Sequence, residues 1–277
     1  LPAAFPKGDA AFYCMKYAIT QGQYVEFLNL LTYVQQNGRI GGSPADAPGT
    51  YPYFADRHAI YVDVPGVNPD KAAVYATDNP YVACNYLSYL DGAAYAQWAG
   101  LRPMTELEFE KACRGPATPV SGEYAWGTAS VSSTGGSDNY SNLGEFNESV
   151  SQGNAIYGTS SSPGGPARVG IFAIDNGTRV SAGASYWGIM ELSGNIWERP
   201  VAVAHAASRL FEGTHGNGML SNVGGATQLD WPGGGARRGG AWDRSSAEAL
   251  VSNRDGGNHL FGERRGSGGW RAVRTAP

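Results

Sequence analysis

Helical periodicity stops at Gly115 and does not return over the rest of this 277-residue chain. Before that point, three segments carry helix signals. Thr20 and Gln23 form a capping-box pair, and Tyr24, Phe27, Leu28 and Leu31 then recur at i, i+3, i+4 and i+7, which puts four large side chains on one helix face. A second helix is predicted from about Ser88 to Ala99, with Leu90, Ala94 and Trp98 on a shared face and Gly100 in the left-handed position after its end. A third starts at Thr105, with Glu108 three residues on and Phe109, Ala112 and Cys113 as its inner stripe. Ahead of these helices, Ala11–Ile19 (AFYCMKYAI) reads as a strand, and residues 37–80 read as ordered loop with short strands.

Beyond Gly115 the punctuation changes. Residues 128–168 are rich in Ser, Gly and Asn, but Tyr140, Phe146 and Tyr157 punctuate them, so an ordered loop is expected rather than a linker. Residues 182–277 are short apolar or aromatic runs between Gly clusters, which predicts several short strands with long excursions. Helices early and irregular strands late describe one α+β domain over residues 1–277, with few helices, short antiparallel strands and much irregular loop.

Composition narrows the function classes. A net charge of −4 argues against a general nucleic-acid binder. Half of the arginines lie between Arg237 and Arg274, where they are expected to be structural, stacked on Trp or paired with carboxylates. No run of 18 apolar residues is present, so direct membrane insertion is not expected. Cys14, Cys84 and Cys113 are odd in number and form no CxxC, which does not support a disulfide scaffold. His58, His205, His215 and His259 show no i, i+4 pair, and a lone His is more often packed than metal-bound. Glu106, Glu108 and Glu110 complement a helix N-terminus. The tryptophans fall mostly within core-like runs, with Trp231 open to either reading.

Five segments, in order, resemble the sulfatase-modifying-factor family, whose founding member is the formylglycine-generating enzyme. They are KYAITQGQYVEFL within Met15–Leu28, YAQWAGLRPMTELEFEKACRG at Tyr95–Gly115, YAWG at Tyr124–Gly127, and YWGIMELSGNIWER at Tyr186–Arg199. The fifth is RGGAW at Arg238–Trp242, with Asn253–Arg254 and Gly269–Trp270–Arg271. The resemblance implies a C-type-lectin-like fold of the formylglycine-generating-enzyme type. The family's Gly-rich opening segment is absent before Ala11, and the opening LPAAFPKG suggests a segment upstream of Leu1.

The family's enzyme binds copper through a cysteine pair near the C-terminus, since soft thiolates select Cu(I). This chain has no Cys after Cys113, so neither copper nor formylglycine generation is expected. A structural Ca²⁺ is implied by the same resemblance, held by side chains of Glu191 and Glu198 and carbonyls of Gly194 and Ile196, hard oxygen donors in a tight turn. The other reading leaves the turn without an ion and pairs Glu198 with an arginine such as Arg199 or Arg238.

With the cysteines gone and the scaffold kept, binding is the expected role. Between framework-like Arg238 and Arg274 lies a mixed set with no helix or strand period: Asp243, Arg244, Ser245, Glu248, Asp255, Gly257, Asn258, His259, Leu260, Phe261 and Glu263. Such a stretch reads as surface loop, where recognition commonly sits, and Leu260–Phe261 rimmed by polar groups resembles a binding hot spot. The layout, about residues 238–274 framed by RGGAW and GGWR, is similar to the variable proteins of diversity-generating retroelements. That similarity implies a receptor for a protein or glycan on another cell or particle, placed at a cell surface or secreted, while the acidic composition by itself also fits the cytoplasm. The alternative within the family is an oxidase of a siderophore-maturation type, which also lacks the cysteine pair and would need a deep polar pocket.

Overall fold

The computed structural model describes residues 1–257 and 263–277 and confirms an α+β class. In chain order the regular elements are β1 (Phe12–Cys14), α1 (Gln21–Leu28), α2 (Tyr33–Arg39), β2 (Ile60–Val64), β3 (Val74–Thr77), α3 (Tyr89–Trp98), β4 (Arg102–Pro103), α4 (Glu106–Arg114), β5 (Tyr140–Ser141), β6 (Ser149–Val150) and β7 (Ala272–Thr275). All four α-helices start with a reciprocal capping box, at Thr20/Gln23, Thr32/Gln35, Ser88/Asp91 and Thr105/Glu108. In each, a side chain satisfies amide donors the helix leaves open, which is how such short helices are held.

The last strand is the hinge of the architecture. β7 lies between β1 and β4, antiparallel to both, so the two ends of the chain meet in one sheet. Its residues alternate between two cores. Ala272 joins Trp270 in a core made by α1, α3 and the β2–β3 hairpin, whereas Val273 packs with Phe109, Cys113, Trp126 and Leu192. Register on both neighbours fixes which side each C-terminal residue faces.

Several expectations change in the details. Leu90 is exposed and does not share a buried face with Ala94; α3 buries Tyr89, Gly92, Ala93 and Ala96 instead. Gly92 explains this rotation, because a Cβ there would come within 2.0 Å of the Trp270 ring. The expected strand Ala11–Ile19 is regular only over β1; Met15 and Ile19 continue alongside the C-terminal chain by single bonds to Ala272 and Trp270 carbonyls. Residues 182–277 hold only β7 as a strand among the described residues, plus isolated bridges such as Trp197 to Gly268 and Glu198 to Arg238. Frequent left-handed glycines, including Gly239 and Gly240, turn the chain too often for longer pairing. Trp187 is exposed rather than core, and the thiols of Cys14, Cys84 and Cys113 are all free.

Candidate functional site

The C-terminal segment is fixed to the body of the molecule by arginines that reach carboxylates on earlier elements. Arg238 donates to Glu106 Oε1 (3.1 Å) and Glu110 Oε1 (3.0 Å) on α4 and to the Val251 carbonyl (2.6 Å). Arg254 pairs with the same two glutamates. Arg264 grips both oxygens of Asp91, the capping residue of α3, at 2.7 and 2.8 Å, and donates to the Gly38 carbonyl. Arg271 donates from Nε to Glu198 Oε1 (2.7 Å) and from its Nη atoms to the carbonyls of Met15, Lys16 and Met190. The expected stacking on Trp is replaced: among the described residues, the frame arginine over a ring is Arg238 on Phe109, at 4.9 Å. The glutamates at the start of α4 therefore complement the helix and also receive the frame.

The predicted ligand residues divide into three groups. Asp243 and Arg244 are half-buried and line a cleft of about 390 Å³ together with Asp56, Ser160, Trp242 and Arg265. Ser245 is exposed and leads into a 3₁₀ turn that carries half-buried Glu248, and exposed Asp255 accepts from the Asn253 side chain. Glu263 is exposed but not idle, since it pairs with Arg237 (2.7 Å) and Arg265 (2.8 Å). Gly257 departs from expectation: it is buried, and a Cβ there would sit 3.2 Å from Glu106 Oε1, so it belongs to the anchor and not to the surface. Asn258, His259, Leu260 and Phe261 lie outside the described residues.

Next to Arg265, which lines this cleft, charge gathers around Glu263. Burial, with the neighbouring Arg237, pushes the Arg199 guanidinium down to about 10. Burial works to raise Glu263, but its own backbone amide and Arg237, Arg265 and Arg199 hold its carboxyl below the usual range. Asp56, Ser160 and Arg265 were not singled out from sequence. Asp56 and Ser160 reach the cleft from distant loops, and Arg265 reads as one more framework arginine.

At the turn Glu191–Glu198, three residues have left-handed backbone: Glu191 (φ 56°), Gly194 (φ 98°) and Asn195 (φ 64°). Glu191 Oε1 accepts from the Gly170 amide (2.7 Å), and Glu198 Oε1 accepts from Arg271. The other oxygen of each, Oε2, is buried without a hydrogen-bond partner. Burial pushes the Glu191 carboxyl up to about 7 against the pull of Arg271, and burial also raises Glu198. These two carboxylate oxygens are hard donors of the type that Ca²⁺ takes. The ion pair expected for Glu198 is made with Arg271, not with Arg199 or Arg238; Arg238 meets Glu198 only through reciprocal backbone bonds of 3.0 and 3.1 Å. Among the described residues, no group of three or more His, Cys, Asp or Glu side chains converges.

The sulfur chemistry has no foothold among the three thiols. Burial pushes Cys14 up to about 12 and raises Cys84 and Cys113 as well, the opposite of an activated thiolate.

Comparison with known proteins gives the following matches. The family model described as "Sulfatase-modifying factor enzyme 1-like domain" matches residues 7–276. A hercynine oxygenase of Mycobacterium tuberculosis is 36% identical over 114 residues, which covers 41% of this chain and 20% of that protein. A formylglycine-generating enzyme of Thermomonospora curvata is 29% identical over 217 residues, 71% of this chain and 64% of the enzyme. The chain thus spans less than two thirds of the length of either relative. Similar solved structures include PvdO from Pseudomonas aeruginosa (TM-score 0.45, 15% identity, 99% of this chain and 87% of that one) and Treponema denticola variable protein 1 (TM-score 0.44, 12% identity, 96% and 84%).

Proposed function

Because the chain belongs to the sulfatase-modifying factor enzyme 1-like family, we propose that it is a non-catalytic member that binds a protein or glycan ligand through its C-terminal surface, as a variable protein of a diversity-generating retroelement would. The observation that carries this reading is the way the segment is held. Arg238 and Arg254 fasten the described stretch Asp243–Gly257 to α4, and Arg264 fastens the chain beside Glu263 to α3, in each case through carboxylates outside the segment. Side chains on such a segment can change identity while the scaffold stays fixed. No Cys follows Cys113 to supply a copper pair; Cys84 and Cys113 are buried and Cys14 half-buried, and burial raises the pKa of all three thiols.

The same reading includes a structural Ca²⁺ held by Glu191 and Glu198 with the carbonyls of Gly194 and Ile196. The ion would neutralise two buried carboxylates and fix the turn that presents Trp197 and Glu198 to the C-terminal chain.

The test is a joint substitution of Asp243, Arg244, Glu248 and Asp255 by Ala. Ligand capture from a glycan array or a cell-surface protein panel should fall at least tenfold, with the melting temperature almost unchanged. Equal capture by both proteins would overturn the reading. One observation favours the alternative of an oxidase without the cysteine pair: the cleft beside Trp242 is polar and holds about 390 Å³. Oxygen uptake with Cu or Fe salts and a phenolic substrate separates the two, because the binding reading expects no turnover.

A further inference from the structure

We propose that the fixed part of the molecule carries a second binding site, a pocket between Tyr51, Phe54, Asp56 and Asp78 that takes an alkylammonium or guanidinium group. The pocket holds about 340 Å³ and lies on the loop before β2, outside the C-terminal segment. Its wall is aromatic. Phe54 is 83% exposed and meets the Tyr51 ring edge-on at 5.1 Å, and Tyr51 in turn packs 5.3 Å from Tyr61. A phenyl ring held in water by its neighbours stabilises little within the fold, but its face attracts a cation.

The local charge is negative once pairings are counted. The Arg57 guanidinium is taken up by both oxygens of buried Glu148 and by the Pro166 carbonyl. His58, buried and pushed down to about 4, is neutral. Asp56 and Asp78 remain, and Asp56 also borders the cleft that Asp243, Arg244 and Arg265 line on its other side. Each uses Oδ2 for a tyrosine hydroxyl, Asp56 from Tyr86 (2.7 Å) and Asp78 from Tyr51 (2.9 Å). Those bonds fix the carboxylates in place, and Oδ1 of each accepts no hydrogen bond among the described residues.

The backbone is bent to present Asp56. Asp56 and Arg57 are consecutive left-handed residues (φ 53° and 60°), and Tyr86 beside them is a third (φ 55°). Such conformations persist where surroundings over-determine them. Here Asn85 Nδ2 holds the Asp56 carbonyl at 2.8 Å, and Gln21 and Asn79 hold the Arg57 carbonyl at 2.9 Å each. A side chain at Gly266 would overlap Asp56 Oδ2, with its Cβ at 1.9 Å. The acceptors select for N–H donors, so a lysine or arginine side chain of a partner fits better than a quaternary ammonium, which has none to give.

The experiment titrates the full chain with n-butylammonium, N-butylguanidinium, choline and neutral 1-pentanol, followed by NMR. Saturable binding in the millimolar range is expected for the first two, weakened at least threefold by Phe54→Ala and by Asp78→Asn. Both residues are exposed, and an unchanged melting temperature confirms that each variant folds. Binding of 1-pentanol as tight as the cations, binding unaffected by either variant, or no binding would overturn the proposal. Choline bound as tightly as butylammonium would overturn the assignment to a basic side chain. Phe54 and Asp78 do not line the Asp243 cleft, although Asp56 borders both, so these variants are read separately from the test of the Asp243–Glu263 surface.

Discussion

Replacing Arg238 by Met should destabilise the protein far more than replacing Arg254 by Ala, although both arginines bind Glu106 and Glu110. Arg238 is fully buried and Glu106 is 1% exposed, so the substitution strands a buried carboxylate whose Oε1 loses its closest donor. Breaking a buried pair from one side costs about 3–5 kcal/mol. Arg254 is 46% exposed at its side chain, in the range where ion pairs contribute about 0.2–1 kcal/mol. For a domain of this size, about 1 kcal/mol shifts the melting temperature by roughly 2–4 °C. The two variants should therefore differ by on the order of 10 °C in a scanning-calorimetry trace. The double variant Arg238→Met with Glu106→Gln should recover part of the loss, because the uncompensated charge is gone while the Gln oxygen still accepts from the Val203 amide. Melting temperatures for the two single variants within about 2 °C of each other, with no recovery in the double variant, would refute the argument that burial decides the cost.

Addition of Ca²⁺ over a chelator-treated control should raise the melting temperature, and Glu198→Gln should remove the increase; an identical response in that variant would count against the turn as the site. Gly92→Ala should lower stability by several kcal/mol, about the cost of forced overpacking or more, since Trp270 is 1% exposed and has nowhere to move; a wild-type urea midpoint would contradict this. His58 has its proton affinity lowered on folding, from 6.5 to about 4. Between those values the unfolded chain binds more protons than the folded one, so its contribution is present above pH 6.5 and is lost as pH falls toward 4. Between pH 7 and pH 5 that loss is about 2 kcal/mol, and His58→Phe should flatten the profile when stability is measured by urea unfolding.

The helix starts were the most legible feature, because a capping box is local chemistry. Even so, α2 is not legible although Thr32 and Gln35 spell the same box as Thr20 and Gln23, since its seven residues, Gly38 among them, carry little apolar period. The face of α3 is not legible in the sequence because the decisive contact is tertiary: Gly92 admits Trp270 from the far end of the chain. In the candidate site, the frame arginines were legible as structural, but their partners were not. Asp91, Glu106 and Glu198 look like ordinary helix or turn carboxylates until the fold brings Arg264, Arg238 and Arg271 to them. Gly257 read as surface loop because glycine carries no burial signal, and only its packing on Glu106 places it inside.

The way the frame is built bears on what the C-terminal segment can tolerate. A catalytic site needs convergent groups, and a change at any of them is felt by the others. Here the strongest interactions run outward from the segment: Arg238 to α4, Arg264 to α3, and Arg271 to the turn at Glu198 and to the chain entering from β1. Each crosses from a C-terminal residue to an N-terminal or central one, and each is buried on at least one side. Asp243, Ser245, Glu248 and Asp255 make mostly local contacts, to Arg244, to their own 3₁₀ turn, or to Asn253. Changes at positions that share no partners combine almost additively. Substitutions there are thus expected to combine with small, independent effects on stability, whereas the buried pair Arg238 and Glu106 should show strong coupling. A scaffold of that kind separates what must stay from what can change, and that separation supports binding by a replaceable surface over catalysis by a fixed one.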